Sequence, residues 1–511
     1  MTILRPICSS LLSQRYSLRI PAPDLVESIL TCYIKIVRNP KDKAGIPSMT
    51  LTDQKSSDKQ NGAAGDMTVI RRDILRLAWP VTVENILQMT VGLVAMAMVG
   101  RLGATSIAAV GLVNRFTQLI WALFAAIGTG STVLIAQSTG AGNQEESRRI
   151  ARSSLWMALI FMSATTLPVY LFARQALMVF NPQPDLLAVA TSYFRISIWS
   201  VPFMVITMLT ASILRGMGNT RTPMLIALGA NVINAACQYV LIFGLGSIPA
   251  MGLNGSALAI VIAQACGALV SIGVLFRAFY PLSFLSATKK PGMSRKVLKV
   301  GVPAAAEHLC WQVAAFIVTR LIVGLGNIPM AAHQLGLQAE AISYMPSAGL
   351  GIATTALIGQ SLGAGRPQLA KKYASELVRW AIVITALAAS VLLFLPKQFL
   401  SLLTTDREVI ELAAVYLMLM GLGQSPQNIA SVFNGALRGA GDTRTPMYIA
   451  LAGLWFIRIP LAMFLSKPFG VKGVWLAITI DLFFRFFLSL WRYLPGNWYK
   501  KPRLYTEGKA V

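Results

Sequence analysis

Arg215-Gly-Met-Gly-Asn-Thr-Arg-Thr-Pro223 returns in the chain as Arg438-Gly-Ala-Gly-Asp-Thr-Arg-Thr-Pro446, an offset of 223 residues (438 − 215). The same offset carries Gln137-Ser-Thr-Gly-Ala-Gly142 onto Gln360-Ser-Leu-Gly-Ala-Gly365, Pro80 onto Pro303, and Glu84 onto Glu307. Agreement at four separated places makes the chain two homologous halves, an N-terminal lobe over 67–285 and a C-terminal lobe over 286–505. Residues 506–511 are left as a tail. Residues 1–66 are polar towards their end and lack a spanning apolar stretch, which reads as a disordered extension. Met67 is an alternative initiator.

Around the repeated loops, runs of about twenty apolar residues alternate with short connections. That is the length an α-helix needs to cross ~30 Å of hydrocarbon. Twelve such runs lie between residues 74 and 494, six in each half. The expected fold is therefore all-α: a polytopic membrane protein with twelve transmembrane helices in two six-helix lobes. Six is even, so both halves cross the membrane in the same sense, as a parallel internal repeat about an axis along the membrane normal. Composition agrees, since 55% of the 511 residues are hydrophobic and only 13% charged.

The net charge of +25, from 45 Lys+Arg against 20 Asp+Glu, raises the question of a nucleic-acid partner. The basic residues are instead scattered between apolar blocks and concentrate in alternate loops, at Arg148, Arg149, Arg152, Arg215 and Arg221, and again at Arg366, Lys371, Lys372, Arg438 and Arg444. This asymmetry places those loops and both termini in the cytoplasm of a cell (inner) membrane protein. Five cysteines without C-x-x-C spacing and two histidines suggest neither a disulfide framework nor a metal site. No P-loop motif is present, so the expectation is a transporter without cofactor, not an enzyme, drawing on an ion gradient. Its partners would be lipid and a small organic molecule, and the protein a monomer.

Each repeated loop reads as a tight turn, with glycine ending one helix, Thr222 or Thr445 capping the next and proline in its first turn. Arg215 and Arg438 are candidates for gating there. An antiporter needs a buried carboxylate that can exchange an ion, and an acid in mid-span costs roughly 2.5 to 3.5 kcal/mol on insertion scales. Glu84 and Glu307 lie eight residues after Arg76 and Lys299, ~12 Å into the bilayer along a helix. His308 and Gln312 add polarity beside Glu307. Glu340 begins the eighth span, and Asp481 in the twelfth can pair with Arg485 on one helix face. Polar stripes at Asn231, Asn234 and Gln238, and at Gln424, Gln427, Asn428 and Ser431, must face protein or water. His333 is placed near the outer rim.

From about Asp73 to Lys500 the chain resembles the multidrug and toxic compound extrusion (MATE) family. The likeness rests on Leu77-Ala-Trp-Pro80, Val99-Gly-Arg-Leu-Gly103, Gly359-Gln-Ser-Leu-Gly-Ala-Gly365, Ala436-Leu-Arg-Gly-Ala-Gly-Asp-Thr-Arg-Thr-Pro446 and Arg458-Ile-Pro460. The resemblance implies H⁺ or Na⁺ antiport driving efflux of amphipathic, often cationic compounds by alternating access. The chain departs from the family where acids occur in other branches: Ala95, Gln238 and Gln427 stand near those positions. Glu84 and Glu307 are the natural replacements. Alternatives are an organic-anion exporter, a flippase for lipid-linked saccharides, and, in another class, a passive channel or membrane scaffold.

Overall fold

A computed structural model of the protein describes residues 63–499, apart from 180–182, 246–248, 279–291, 402 and 405. Residues 1–62 of the expected extension and the 506–511 tail lie outside the described residues.

The N-terminal half comprises α1 (Ala63–Gly100), α2 (Ala104–Gly140), α3 (Gln144–Leu171), the short α4 (Ala173–Met178), α5 (Pro184–Ser197), α6 (Ser200–Gly216), α7 (Arg221–Phe243) and α8 (Gly252–Ala278). The C-terminal half comprises α9 (Met293–Val323), α10 (Asn327–Gly363), α11 (Pro367–Phe394), the short α12 (Pro396–Ser401), α13 (Arg407–Gly439) and α14 (Arg444–Leu451). A π-helical segment over Ala452–Arg458 then leads into α15 (Ile459–Tyr493).

Several of these elements differ from one helix per span. Helices α5 and α6 form one span bent by 49°. Helix α15 is two spans, because Gly470 takes φ 57 and ψ −139, a conformation that reverses the chain where only glycine is comfortable. The reversal brings Arg458 against Asp481, 23 residues on, a separation that a straight helix would stretch to ~35 Å. The described residues then hold twelve spans. Gly252 at the start of α8 has φ 54, so the two halves share this turn as well.

With lipid outside, close packing between helices rests on small residues and interhelical hydrogen bonds. Helix α2 packs against α9 and α10 of the other half, and α10 packs back against α1 and α2. At Gly140 and Gly363, each at the C-terminus of its helix, a Cβ would collide with the carbonyl oxygen of Gln360 and of Gln137 respectively. Gly301 meets the Ala126 carbonyl in the same way. Two glutamines close the joint: Gln137 Nε2 donates to the Gly439 carbonyl at 3.0 Å, and Gln360 Nε2 to the Gly216 carbonyl at 2.9 Å. Both pairs cross from one lobe to the other, and the offset of 223 relates them. Arg71 Nε with Glu376 (2.7 Å) and the Tyr373 hydroxyl with Asp73 (2.7 Å) add ties near the same face, the face of the repeated loops.

Candidate functional site

The repeated loops fold as tight turns, with Gly218 at φ 85 and Gly441 at φ 86 ending the preceding helices. Their caps differ from expectation. Asn219 Oδ1 accepts from the Thr222 backbone N–H (3.1 Å), and Asp442 Oδ1 from that of Thr445 (3.2 Å). The threonines are thus the capped residues, because an Asn or Asp three positions earlier reaches the exposed amide first.

Arg215 and Arg438 lie in the last helical turns before these loops, and each reaches across to the first helix of its own lobe. Arg215 Nη2 donates to Glu84 Oε1 at 2.7 Å. Arg438 Nη2 donates to both oxygens of Glu307, at 2.6 and 2.7 Å. The two pairs are related by the repeat offset, and each carboxylate is about seven-eighths buried. Sequence spacing singled out all four residues but assigned the acids to ion exchange and the arginines to the loops. The structure joins them, since each acid sits on the first helix of its lobe, facing the C-terminal end of α6 or α13.

Beside the Glu307–Arg438 pair lies a cavity of about 170 Å³, walled by Trp311, Gln427, Ser431, Asn434 and Arg485 among others. The stripe on α13 divides around it. Gln427, Ser431 and Asn434 face the cavity. Gln424 and Asn428 turn away to a buried network: Gln424 Nε2 donates to Glu340 Oε1 (2.7 Å), and Asn428 Nδ2 to Thr385 Oγ1 (3.1 Å). Glu340 also accepts from the Tyr416 hydroxyl, so both its oxygens are engaged.

Behind the cavity wall stands a charge cluster. Asp481 is fully buried and accepts from Arg458 Nε (2.8 Å) and Arg485 Nε (3.1 Å). Both guanidinium groups lie over the Trp311 ring, 4.9 and 5.4 Å from its centre. Arg458 ends the π-helical segment, a distortion frequent at functional sites, and Gly453 within it leaves room for the Asp481 and Arg485 side chains. Trp311, Asn434 and Arg485 were not singled out as site residues from sequence. The signals were an arginine four residues after an intramembrane acid and a second arginine inside an apolar run.

Other expectations fall elsewhere. Gln312 turns to the opposite lobe and donates to Gln118 Oε1 (3.3 Å), because its neighbour Trp311 takes the cavity side. His308 also turns to that lobe, with its ring edge-on to Trp121. His333, six residues into α10, is buried between Tyr416 and Trp475. In the N-terminal lobe Gln238 Nε2 donates to Asn234 Oδ1 (3.2 Å) within α7, while Gln238 Oε1 is buried without a hydrogen-bond partner.

The lobes therefore share the Glu–Arg pair but not the charge cluster. At the 223 offset Arg458 corresponds to Ala235. At the offset set by the matching glycines (470 − 252 = 218), Asp481 and Arg485 correspond to Ala263 and Gly267.

The profile of the MatE family matches residues 80–240 and 303–464, one match in each half. The chain is 30% identical over 447 residues, 86% of its length and 95% of the relative's, to a protein of Thermotoga maritima described as a probable multidrug resistance protein NorM. It is 27% identical over 427 residues, 80% of its own length and 88% of the relative's, to the multidrug resistance protein PmpM of Pseudomonas aeruginosa. Among solved structures, that of the MATE transporter VcmN of Vibrio cholerae has a TM-score of 0.79 at 18% identity, covering 86% of this chain and all of that one.

Proposed function

Because the chain belongs to the multidrug and toxic compound extrusion family, we propose that it is a multidrug efflux transporter of the cell membrane that exchanges amphipathic organic compounds for H⁺ or Na⁺. The observation that carries this reading is the bidentate hold of Arg438 on Glu307 at the edge of a cavity. A carboxylate that must give up a guanidinium to accept a cation has an affinity tied to where that guanidinium sits, and such dependence is what an exchanger requires.

The path to the rest of the molecule is short. Arg438 precedes Gly439, whose carbonyl is held by Gln137 of the other lobe, and Arg215 precedes Gly216, whose carbonyl is held by Gln360. Cation binding at Glu307 or Glu84 releases the arginine and loosens the helix end on which the opposite lobe is latched. With the repeated loops in the cytoplasm, as their basic residues suggest, this conformation is the one closed to the cytoplasm. The latch favours alternating access over a passive channel or a scaffold, which would need no paired, breakable joint.

The test is efflux of a panel of fluorescent cationic and anionic dyes from proteoliposomes, with H⁺ and Na⁺ gradients imposed separately. Wild type is compared with Glu307→Gln and Glu84→Gln. Loss of gradient-driven efflux in Glu307→Gln supports the assignment. Undiminished efflux in both variants overturns it, and the absence of efflux for every dye shifts the reading to a flippase.

A further inference from the structure

We propose that an anionic phospholipid occupies a groove on the lipid-facing side of the N-terminal lobe, with an acyl chain between α3 and α8 and its phosphate on Arg148, beside Arg152.

The groove encloses about 280 Å³, and every residue that lines it is apolar. Val205 and Leu209 of α6 form a fully buried floor, Leu155 and Leu159 of α3 one wall, and Ile272 and Phe276 of α8 the other. Helices α3 and α8 each pack on α6, so the floor is the helix they share. Leu159 and Phe276 are exposed at the lip, and exposed Trp156, Ile160 and Leu269 continue the surface to either side, so the groove opens towards hydrocarbon. Protein interiors are packed as densely as organic crystals, and an apolar void of this size does not hold ordered water. In a bilayer its filler is an acyl chain.

The head group follows from the charges at one end of the groove. Arg148, Arg152, Leu155, Leu159 and Met162 succeed one another at steps of three and four residues and so share one face of α3. From Arg148 to Leu155 is ~10 Å along the helix, and from Leu155 to Met162 another ~10 Å. That spacing sets a phosphate at the arginines and a chain in the adjoining leaflet. Exposed Arg277 ends the opposite wall, one residue after Phe276. The acids of α3, α6 and α8 are Glu145 and Glu146 alone, and Arg149 takes both, at 3.2 and 3.9 Å. Arg148 has no acidic partner among the described residues. Basic residues gathered at the ends of membrane helices in this way hold anionic head groups.

The C-terminal lobe supplies an internal comparison. At the offset of 223 Met162 becomes Thr385 and Val205 becomes Asn428. These two bridge the equivalent helices, α11 and α13, with Asn428 Nδ2 donating to Thr385 Oγ1 at 3.1 Å. Arg152 becomes Ser375, and Arg148 becomes Lys371. The apolar lining and the arginine pair thus change together between the lobes. Helix α6 ends in Arg215 and Gly216, so the lipid rests on the helix that Gln360 latches.

Native mass spectrometry of the full-length protein released from detergent tests this, by titration with phosphatidylglycerol or phosphatidylcholine of identical palmitoyl-oleoyl chains. Wild type is expected to take up one phosphatidylglycerol roughly tenfold more tightly than phosphatidylcholine. Arg148→Gln should weaken that first phosphatidylglycerol roughly fivefold and leave phosphatidylcholine unchanged, the worth of one basic residue at an anionic head group. Ala158→Phe, which fills the groove from its α3 wall, should weaken both lipids. Lys371→Gln, at the repeat counterpart, should change neither. Arg148→Gln alters only a half-buried side chain near a helix start and decides the matter alone if Ala158→Phe folds poorly. Equal affinity for the two lipids in wild type, no loss in Arg148→Gln, or equal losses in Arg148→Gln and Lys371→Gln overturns the proposal. So does a dimer that Ala158→Phe converts to monomer, which would assign the groove to a second copy of the chain.

Discussion

The side-chain amide of Gln137 holds the backbone carbonyl of Gly439 at 3.0 Å, across the boundary between the lobes and one residue after the arginine that grips Glu307. Its repeat partner Gln360 does the same to Gly216, one residue after the arginine that grips Glu84. A joint made twice by symmetry opens only when both halves let go, and this gives the first prediction.

Replacing Gln137 or Gln360 by leucine removes a buried interlobe hydrogen bond and strands a carbonyl, a loss of about 1–3 kcal/mol from the closed conformation alone. Spin labels at the exposed positions Gln144 and Gln368, just past the two latch helices, are expected to gain a longer-distance population in either variant and more of it in the double variant. Unchanged distance distributions would show that the glutamines do not hold the lobes together.

Gly363→Ala acts on the same joint by steric means. Its new Cβ has no room beside the Gln137 carbonyl, where the partner atom is rigid backbone. The variant is expected to open the loop face without loss of expression and to slow transport at least tenfold, since each cycle must pass through closure. Transport at the wild-type rate would contradict it.

Arg438→Met leaves Glu307 buried without its partner, which costs about 3–5 kcal/mol where a pair is deeply buried. The cost here falls towards the low end, because a quarter of the Arg438 side chain remains exposed. The double variant Glu307→Gln with Arg438→Met is expected to recover most of the lost thermal stability while remaining inactive. Thermal unfolding of the three variants in one detergent measures the coupling as a double-mutant cycle.

Asp481→Asn is expected to be the most damaging single substitution in the protein. It withdraws the counter-charge from two guanidiniums at once, one of them on the fully enclosed Arg458. A shortfall above ~3 kcal/mol should appear as poor yield and a broad gel-filtration profile, partly corrected when Arg458→Met is added. A monodisperse Asp481→Asn protein of wild-type stability would rule out a structural role for the cluster.

The fold was legible because its two determinants, span length and the 223-residue repeat, are written along the chain. Asp481 with Arg485 was legible for the same reason, as an i, i+4 pair on one helix. Glu307 with Arg438 was not: the residues stand 131 apart, and nothing local says that the C-terminal end of α13 descends to the first helix of its lobe. The divided stripe on α13 is a related case, since a 3.6-residue period groups Gln424 with Gln427 but cannot say that Glu340 waits on one side and a cavity on the other. The burial of His333 was not legible either, since a polar residue near the start of a span says nothing of the two aromatic rings that enclose it.

Ala235, Ala263 and Gly267 occupy the places that Arg458, Asp481 and Arg485 fill in the other half. A duplicated chain that carries its latch in both copies and its charged furniture in one has divided labour between siblings. The consequence can be read by recombination. A chimera of two C-terminal halves should keep the latch and gain a second charged chamber, whereas one of two N-terminal halves should swing with nothing to carry.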